Sequence, residues 1–323
     1  MSPTAHHPAI LRLASLLSSF VPSILVCLCI LSIPVVPQQI FTTGLEPQGT
    51  QRPFYRQRVR SLPADTALEL LGRLGQVWDA AGNGVPALAP RRFPADMDEL
   101  SVAERKEVFF RSLLPHVLAH NDRITGERTR LLELSAHTAN GAELGEADHR
   151  FLGGLADRYR LGEEFAHPGE QVQVLLRRVD VVPPSIALAQ AAIESAWGTS
   201  RFSRLGNNLF GQWVFDRDRG IAPLERPENA NYSLARFQSL GAAVDAYLRN
   251  LNGFSAYSEF RRLRLQMRVA GEALDPYLLV EGLSNYSTRR GEYVREVLSV
   301  IRSNDLTRYD QARLAGPGAA SLL

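Results

Sequence analysis

The chain has 323 residues, 45% of them hydrophobic and 22% charged, which is the balance of a globular protein and not of a disordered one. A net charge of +2 gives no electrostatic case for nucleic acid as a partner. The only cysteines, Cys27 and Cys29, share one apolar run, which excludes a disulfide framework or a thiolate metal site in the rest of the chain. Positive charge is almost all arginine; Lys106 is the single lysine and reads as codon bias.

In chain order, Leu13 to Val36 carries no charge and is long enough to span a bilayer. A signal peptide is the competing reading, but no small-x-small cleavage site follows. Residues 1–37 are therefore read as an N-terminal membrane anchor or signal segment. Arg52, Arg56, Arg58 and Arg60 follow the run and only Arg12 precedes it, so positive-inside counting opposes export; the functional argument outweighs this. Residues 38–64 are rich in Gln, Pro and Arg and read as a linker. A helical region is expected over 65–170. Its first helix, Asp65 to Ala81, spaces Leu68, Leu71, Leu74 and Trp78 by three or four. A Pro-rich loop precedes a long helix that opens with the capping box Ser101/Glu104 and has Pro115 as an expected kink. Helical patterns continue over Leu131–Ala139 and Glu146–Tyr159. His116 and His120 are spaced like zinc ligands, but no Glu directly follows the first, so core or surface histidines are preferred over a metal.

A helix at Gln171–Val181 leads to the most informative stretch, Pro184 to Gly198, followed by Asn207-Asn-Leu-Phe-Gly211. Pro184 and Ser185 supply the helix entry and cap, and Gly198 the stop. Glu194 is the one acid on this Ala/Ile/Leu helix. Desolvation there favours its protonated form, and a carboxylic acid that keeps its proton near neutral pH can donate it to a leaving group. A solvent-facing Glu on a core helix is the competing reading. Ser195 beside it lacks the Gly-x-Ser-x-Gly elbow and a paired His, and is discounted as a nucleophile. A small hairpin or two- to three-stranded lobe is expected over 212–237, with Tyr232 to Phe237 as a strand. Helices are expected over Ser239–Leu251, Tyr257–Val269, Asp275–Gly282 and Glu292–Ile301, with a loop at 283–288. The tail 308–323 reads as disordered.

These pieces could wall a cleft between a helical body and a β lobe. Trp197, Phe210, Trp213, Tyr232 and Tyr286 would offer faces to sugar rings, and Asn207, Asn208 and Gln212 hydrogen bonds to hydroxyl and acetamido groups. Each has a structural alternative: Trp197 and Phe210 as core, Asn207 or Asn208 as turn residues.

The run Ala192-Ile-Glu-Ser-Ala-Trp-Gly-Thr-Ser-Arg-Phe202 with Asn207-Asn-Leu-Phe-Gly211 resembles glycoside hydrolase family 73, the bacterial peptidoglycan N-acetylglucosaminidases, and within it the Bax-like group. Glu104-Arg-Lys-Glu-Val-Phe-Phe110, Tyr232 to Ser239, Tyr247 to Asn252 and Gly282 to Ser287 continue the likeness over roughly 100–303. The resemblance implies a mainly α (α+β) chain: a lysozyme-like domain over 171–307 with a small β lobe, behind the helical region and the transmembrane segment. It implies Glu194 as general acid and a second carboxylate in the β lobe, with Glu225 and Glu228 as candidates ahead of Asp216 and Asp218. Tyr286 would line the cleft and position the acetamido group or polarise the attacked carbon. That acetamido carbonyl could itself be the nucleophile, which leaves an inverting and a substrate-assisted route both open. The expected activity is cleavage of the β-1,4 bond between N-acetylglucosamine and N-acetylmuramic acid, with no cofactor or metal. The alternatives are a lytic transglycosylase on the same fold and a non-catalytic glycan-binding envelope scaffold. The expected partners are glycan strands, the inner membrane through the N-terminal segment, and an envelope protein docked on the helical region. The catalytic domain is expected in the periplasm.

Overall fold

Ser101 starts the longest helix. Its hydroxyl accepts the Glu104 backbone N–H, and the Glu104 carboxylate accepts the Ser101 N–H in return. In the computed structural model this helix, α2 of the scheme below, is continuous from Val102 to Ala139 and passes through Pro115. The structure describes residues 58–315 apart from 82–83, 163–164, 166, 216–219 and 224–232. The expected membrane segment, most of the linker, Tyr232, Asp216, Asp218, Glu225 and Glu228 lie outside the described residues. Among the described residues no helix is long and apolar enough to cross a membrane.

The chain enters with β1 (Arg60–Ser61), α1 (Ala67–Ala80) and β2 (Leu88–Ala89) before α2 (Val102–Ala139). α3 (Glu146–Arg158) and α4 (Pro168–Arg178) follow, and α4 packs along α2. Next come α5 (Pro184–Glu194) and α6 (Arg201–Gly206). β3 (Trp213–Val214), β4 (Gly220–Ile221) and β5 (Ser233–Ala235) form an antiparallel sheet in the order β3-β5-β4. The chain closes with α7 (Leu240–Gly253), α8 (Ser258–Ala270), α9 (Pro276–Glu281), α10 (Gly291–Ser303) and a 3-10 turn at Leu306–Tyr309. The mainly helical body, with one three-stranded and one two-stranded sheet among the described residues, agrees with the mainly α (α+β) class expected.

α5 lies at the centre. Every residue from Pro184 to Ala192 is buried, so the helix is apolar all round and has no solvent face. α2, α9, α10 and the 306–309 turn pack around it. Its N-terminus differs from the expected one: Pro183 occupies the cap position, and Ser185 is not the cap. Instead the Asp310 carboxylate accepts both the Ser185 N–H and the Ser185 hydroxyl, each at 2.8 Å. This is also a correction for the tail. Residues 308–315 are folded, and Val85 and Leu314 pair as a parallel β-bridge. The expected linker likewise joins the fold by its end, because Arg60–Ser61 pairs in parallel with Leu88–Ala89. In both cases a short polar segment satisfies its backbone by pairing with a distant strand, which local composition does not reveal.

Beneath α5 a buried anion ties three elements together. The Asp180 carboxylate receives two hydrogen bonds from Arg268 at 3.0 Å, with Arg128 and Arg264 within 4 Å. Burial alone would raise the Asp180 carboxyl, but Arg128, Arg264 and Arg268 together hold it below its ordinary value. Arg264 is itself buried, and donates to the carbonyls of Arg178, Asp180 and Val181. Burial pushes its guanidinium down to about 10.

Candidate active site

Glu194 is the last residue of α5. There the helix dipole presents its negative end, which disfavours a second negative charge. The chain then turns through Ala196, Trp197 and Gly198, all with positive φ (48°, 58° and 83°). Only glycine takes that region freely, so two side-chain-bearing residues hold strained backbone next to the acid. The turn is fastened twice. The Ser195 hydroxyl donates to the Ala191 carbonyl and accepts the Gly198 N–H. The Trp197 ring sits edge-on to Phe109 and Phe110, with Lys106 Nζ 4.9 Å above it. Buried Ser195 is thus engaged in the turn, in keeping with its being discounted as a nucleophile. Partly buried Trp197 is braced against α2, the core placement that was its structural alternative, and Lys106 packs over its ring.

Burial pushes the Glu194 carboxyl above the ordinary carboxylate value. The nearby Tyr293 hydroxyl and Arg289 pull the other way, and Glu296 adds to the rise. Arg289 and Glu296 pair with each other at 2.7 Å, so their influences largely offset. Tyr247, Tyr257, Tyr286 and Tyr293 surround the acid, and burial raises every one of these phenols. Tyr286 stacks on Tyr293 with ring centres 5.4 Å apart and lies 5.7 Å from Tyr257. Tyr286 donates its hydroxyl to the Phe210 carbonyl at 2.9 Å, so it holds the turn before Gly211.

Gly211 closes the site from the other side. Its φ is +63°, and a Cβ placed on it would lie 3.2 Å from Glu194 Oε2. The Asn-Asn-Leu-Phe-Gly run therefore supports the site by its backbone, not by its amides. Asn207 caps α6 in the left-handed region and donates to the Phe237 carbonyl. Asn208 donates to the carbonyls of Gln212 and Ala235 and accepts the Gln212 N–H. Both amides are buried and engaged, which corrects their expected role toward substrate. Phe210 is corrected likewise: it is buried and stacks on Tyr247 at 4.0 Å. Among the described residues, Trp213, half exposed on β3, remains as a candidate to face substrate, while the Gln212 Oε1 is buried with no hydrogen-bond partner among them. Phe215, 76% exposed just beyond, was not singled out from sequence. His116 and His120 are elsewhere, against Gly241. Burial takes His116 down to about 4.

Sequence reading gave no site role to Gln190, Tyr247, Tyr257, Arg289, Tyr293 or Glu296. Only Gln190 carried a local signal, because it precedes Glu194 by one helical turn. The tyrosines come from separate segments and meet only on folding.

A helical body that keeps one carboxylic acid protonation-prone, beside a small sheet edged with exposed aromatics, has the layout of a glycoside hydrolase. The comparisons agree. Residues 169–306 match the glucosaminidase family, described as mannosyl-glycoprotein endo-beta-N-acetylglucosaminidase. Protein bax of Escherichia coli strain K12 is 31% identical over 225 residues, covering 70% of this chain and 76% of that protein. The catalytic domain of the autolysin Auto from Listeria monocytogenes is similar at 21% identity over 55% of this chain and 97% of that one, with a TM-score of 0.31. The chain belongs to the glucosaminidase family, glycoside hydrolase family 73, in the Bax-like group. It is a glycoside hydrolase.

Proposed function

We propose that the protein hydrolyses the β-1,4 bond between N-acetylglucosamine and N-acetylmuramic acid, with Glu194 as general acid. The observation that carries this reading is the placement of Glu194: the last turn of a buried helix, desolvated, at the edge of the sheet lobe. A carboxyl in that setting keeps its proton to a higher pH than a free carboxyl does. It can pass that proton to the glycosidic oxygen as the bond to the anomeric carbon breaks. The oxocarbenium-like centre then needs either a water activated by a second carboxylate or the acetamido carbonyl of the sugar itself. Glu225 and Glu228 remain the candidates for the first route. Trp213 and Phe215 supply flat apolar faces for the pyranose rings.

The proposal extends to place: the uncharged run at 13–36 tethers the chain to the inner membrane, with the catalytic domain in the periplasm. Membrane fractionation, followed by protease access to intact and opened cells, tests this.

The decisive experiment digests purified peptidoglycan with wild type and Glu194→Gln and reads the products by mass spectrometry. Reducing-end N-acetylglucosamine from wild type and none from the variant is the expected result. Anhydro-muramyl ends would replace the hydrolase by a transglycosylase. Full activity in Glu194→Gln would remove the glutamate from the acid role. Glycan binding without cleavage by wild type would favour a scaffold.

A further inference from the structure

Gln190 is wholly buried on α5, one helical turn before Glu194, and both ends of its amide are engaged. Tyr247 donates its hydroxyl to Gln190 Oε1 at 2.6 Å. Gln190 Nε2 donates to the Tyr293 hydroxyl oxygen at 2.8 Å. Tyr293 is close enough to Glu194 to oppose the rise that burial causes in its carboxyl. We infer that Gln190 is a positioning residue that turns the Tyr293 hydroxyl proton toward the Glu194 carboxyl. This rests on the reading of Glu194 as the acid.

The reasoning is one of donor and acceptor sense. A primary amide has one accepting end and one donating end. Tyr247 is buried, and its proton needs an acceptor; Gln190 Oε1 provides it. That fixes the amide, so its N–H end must face Tyr293. The Tyr293 oxygen, receiving the amide hydrogen, directs its own hydrogen elsewhere, and Glu194 stands there. With the amide turned over, Tyr293 would donate to Gln190 and leave Glu194 without this bond. The other phenol in the stack cannot substitute, since Tyr286 donates to the Phe210 carbonyl. For Glu194 the effect is twofold. Its ionised form gains a donor, which limits how far burial raises it. In its protonated form, one carboxyl oxygen accepts from Tyr293 and the other carries the proton, so the proton is kept on one defined oxygen.

Among the described residues, the charged and titratable groups facing Glu194 are Tyr247 of α7, Tyr257 and Tyr286 from the turns on either side of α8 and α9, Arg289, and Tyr293 and Glu296 of α10. The phenols stay neutral through the working range, and Arg289 is paired with Glu296. A change in the acid's ionisation therefore reports on the hydrogen bond.

The test measures kcat/KM against pH for full-length wild type, Tyr293→Phe, Gln190→Met, the double variant and Tyr247→Phe. Thermal melts check each fold. Losing the donor disfavours the Glu194 carboxylate, so the alkaline limb moves to higher pH in Tyr293→Phe and in Gln190→Met. In both, kcat falls by about tenfold, as for one lost charge-assisted hydrogen bond. The double variant shows no further displacement, because both changes remove the same bond. Tyr247→Phe, which frees the amide to turn, moves the limb the same way by less and keeps the outcome readable where Gln190→Met does not fold. An unmoved limb in folded Gln190→Met or Tyr247→Phe overturns the inference, as do additive displacements in the double variant. If Glu194→Gln is inactive while the limbs stay put, the acid assignment stands and only the role of Gln190 falls.

Discussion

Glu194→Gln should make the protein more heat-stable at neutral pH even as it removes cleavage. The folded-state value of this carboxyl lies above its unfolded one. Its contribution to stability is therefore full below the unfolded value and is lost as pH rises through the folded one. At neutral pH the ionised fraction of the wild type bears a buried carboxylate where the variant bears a neutral amide. Melting curves should separate there, with the variant higher, and converge below pH 4.5, the ordinary value for this group. A wild type that melts higher than the variant at neutral pH would contradict the burial argument. The neighbouring glycine makes a second residue-scale prediction. Gly211→Ala forces a Cβ to 3.2 Å from Glu194 Oε2 at a φ of +63°. The expected result is a stability loss of about 1 kcal/mol or more. Activity should fall further than stability, because the crowded atom is the proton-bearing group. Chemical denaturation and kcat on soluble glycan fragments would check both halves.

At the scale of elements, the turn between α6 and β3 and the ion cluster under α5 do different work. Asn208 closes its turn with hydrogen bonds to Gln212 and Ala235. Asn208→Ala leaves buried backbone groups without partners and should cost about 1–3 kcal/mol, while also letting Gly211 drift from the acid. Asp180→Asn removes the anion that Arg128, Arg264 and Arg268 share. It leaves buried positive charge uncompensated, with an expected loss of about 3–5 kcal/mol in urea titration. Sequence made much of the elements legible. The Ser101/Glu104 box, the apolar period of α1 and the all-apolar α5 each follow from local chemistry. The site was legible at Glu194, at Tyr286 and in the run ending at Gly211. Asn207 and Asn208 were misread because an amide in a turn looks the same whether it faces ligand or backbone; its partners Phe237 and Ala235 are far along the chain. Of the aromatic group around the acid only Tyr286 was singled out; Tyr247, Tyr257 and Tyr293 were given no role for the same reason, being drawn from separate segments.

At the scale of the whole molecule, the segment from Leu306 to Leu314 joins parts that no local pattern connects. Asp310 caps α5, and Leu314 pairs with Val85. Asp310→Ala should cost about 1–2 kcal/mol, the worth of a helix cap, and lower the melting temperature by about 2–4 °C per kcal/mol. Removal of everything after residue 305 should cost more, since the bridge to Val85 goes with it. If the shortened chain melts like the full one, the segment is an ornament. The family match stops at residue 306, short of both contacts.

The clasp also sets an order of events during synthesis. A chain emerging from the ribosome at about 5–20 residues per second can form α1 and α2 early. The helix that ends in Glu194, however, lacks its N-terminal cap until Asp310 has emerged, a partner 125 residues downstream of Ser185. Pairings between such distant segments pay loop-closure entropy and form late. The nascent chain would thus carry an unfinished acid site for the whole interval in which the residues between Ser185 and Asp310 are being made.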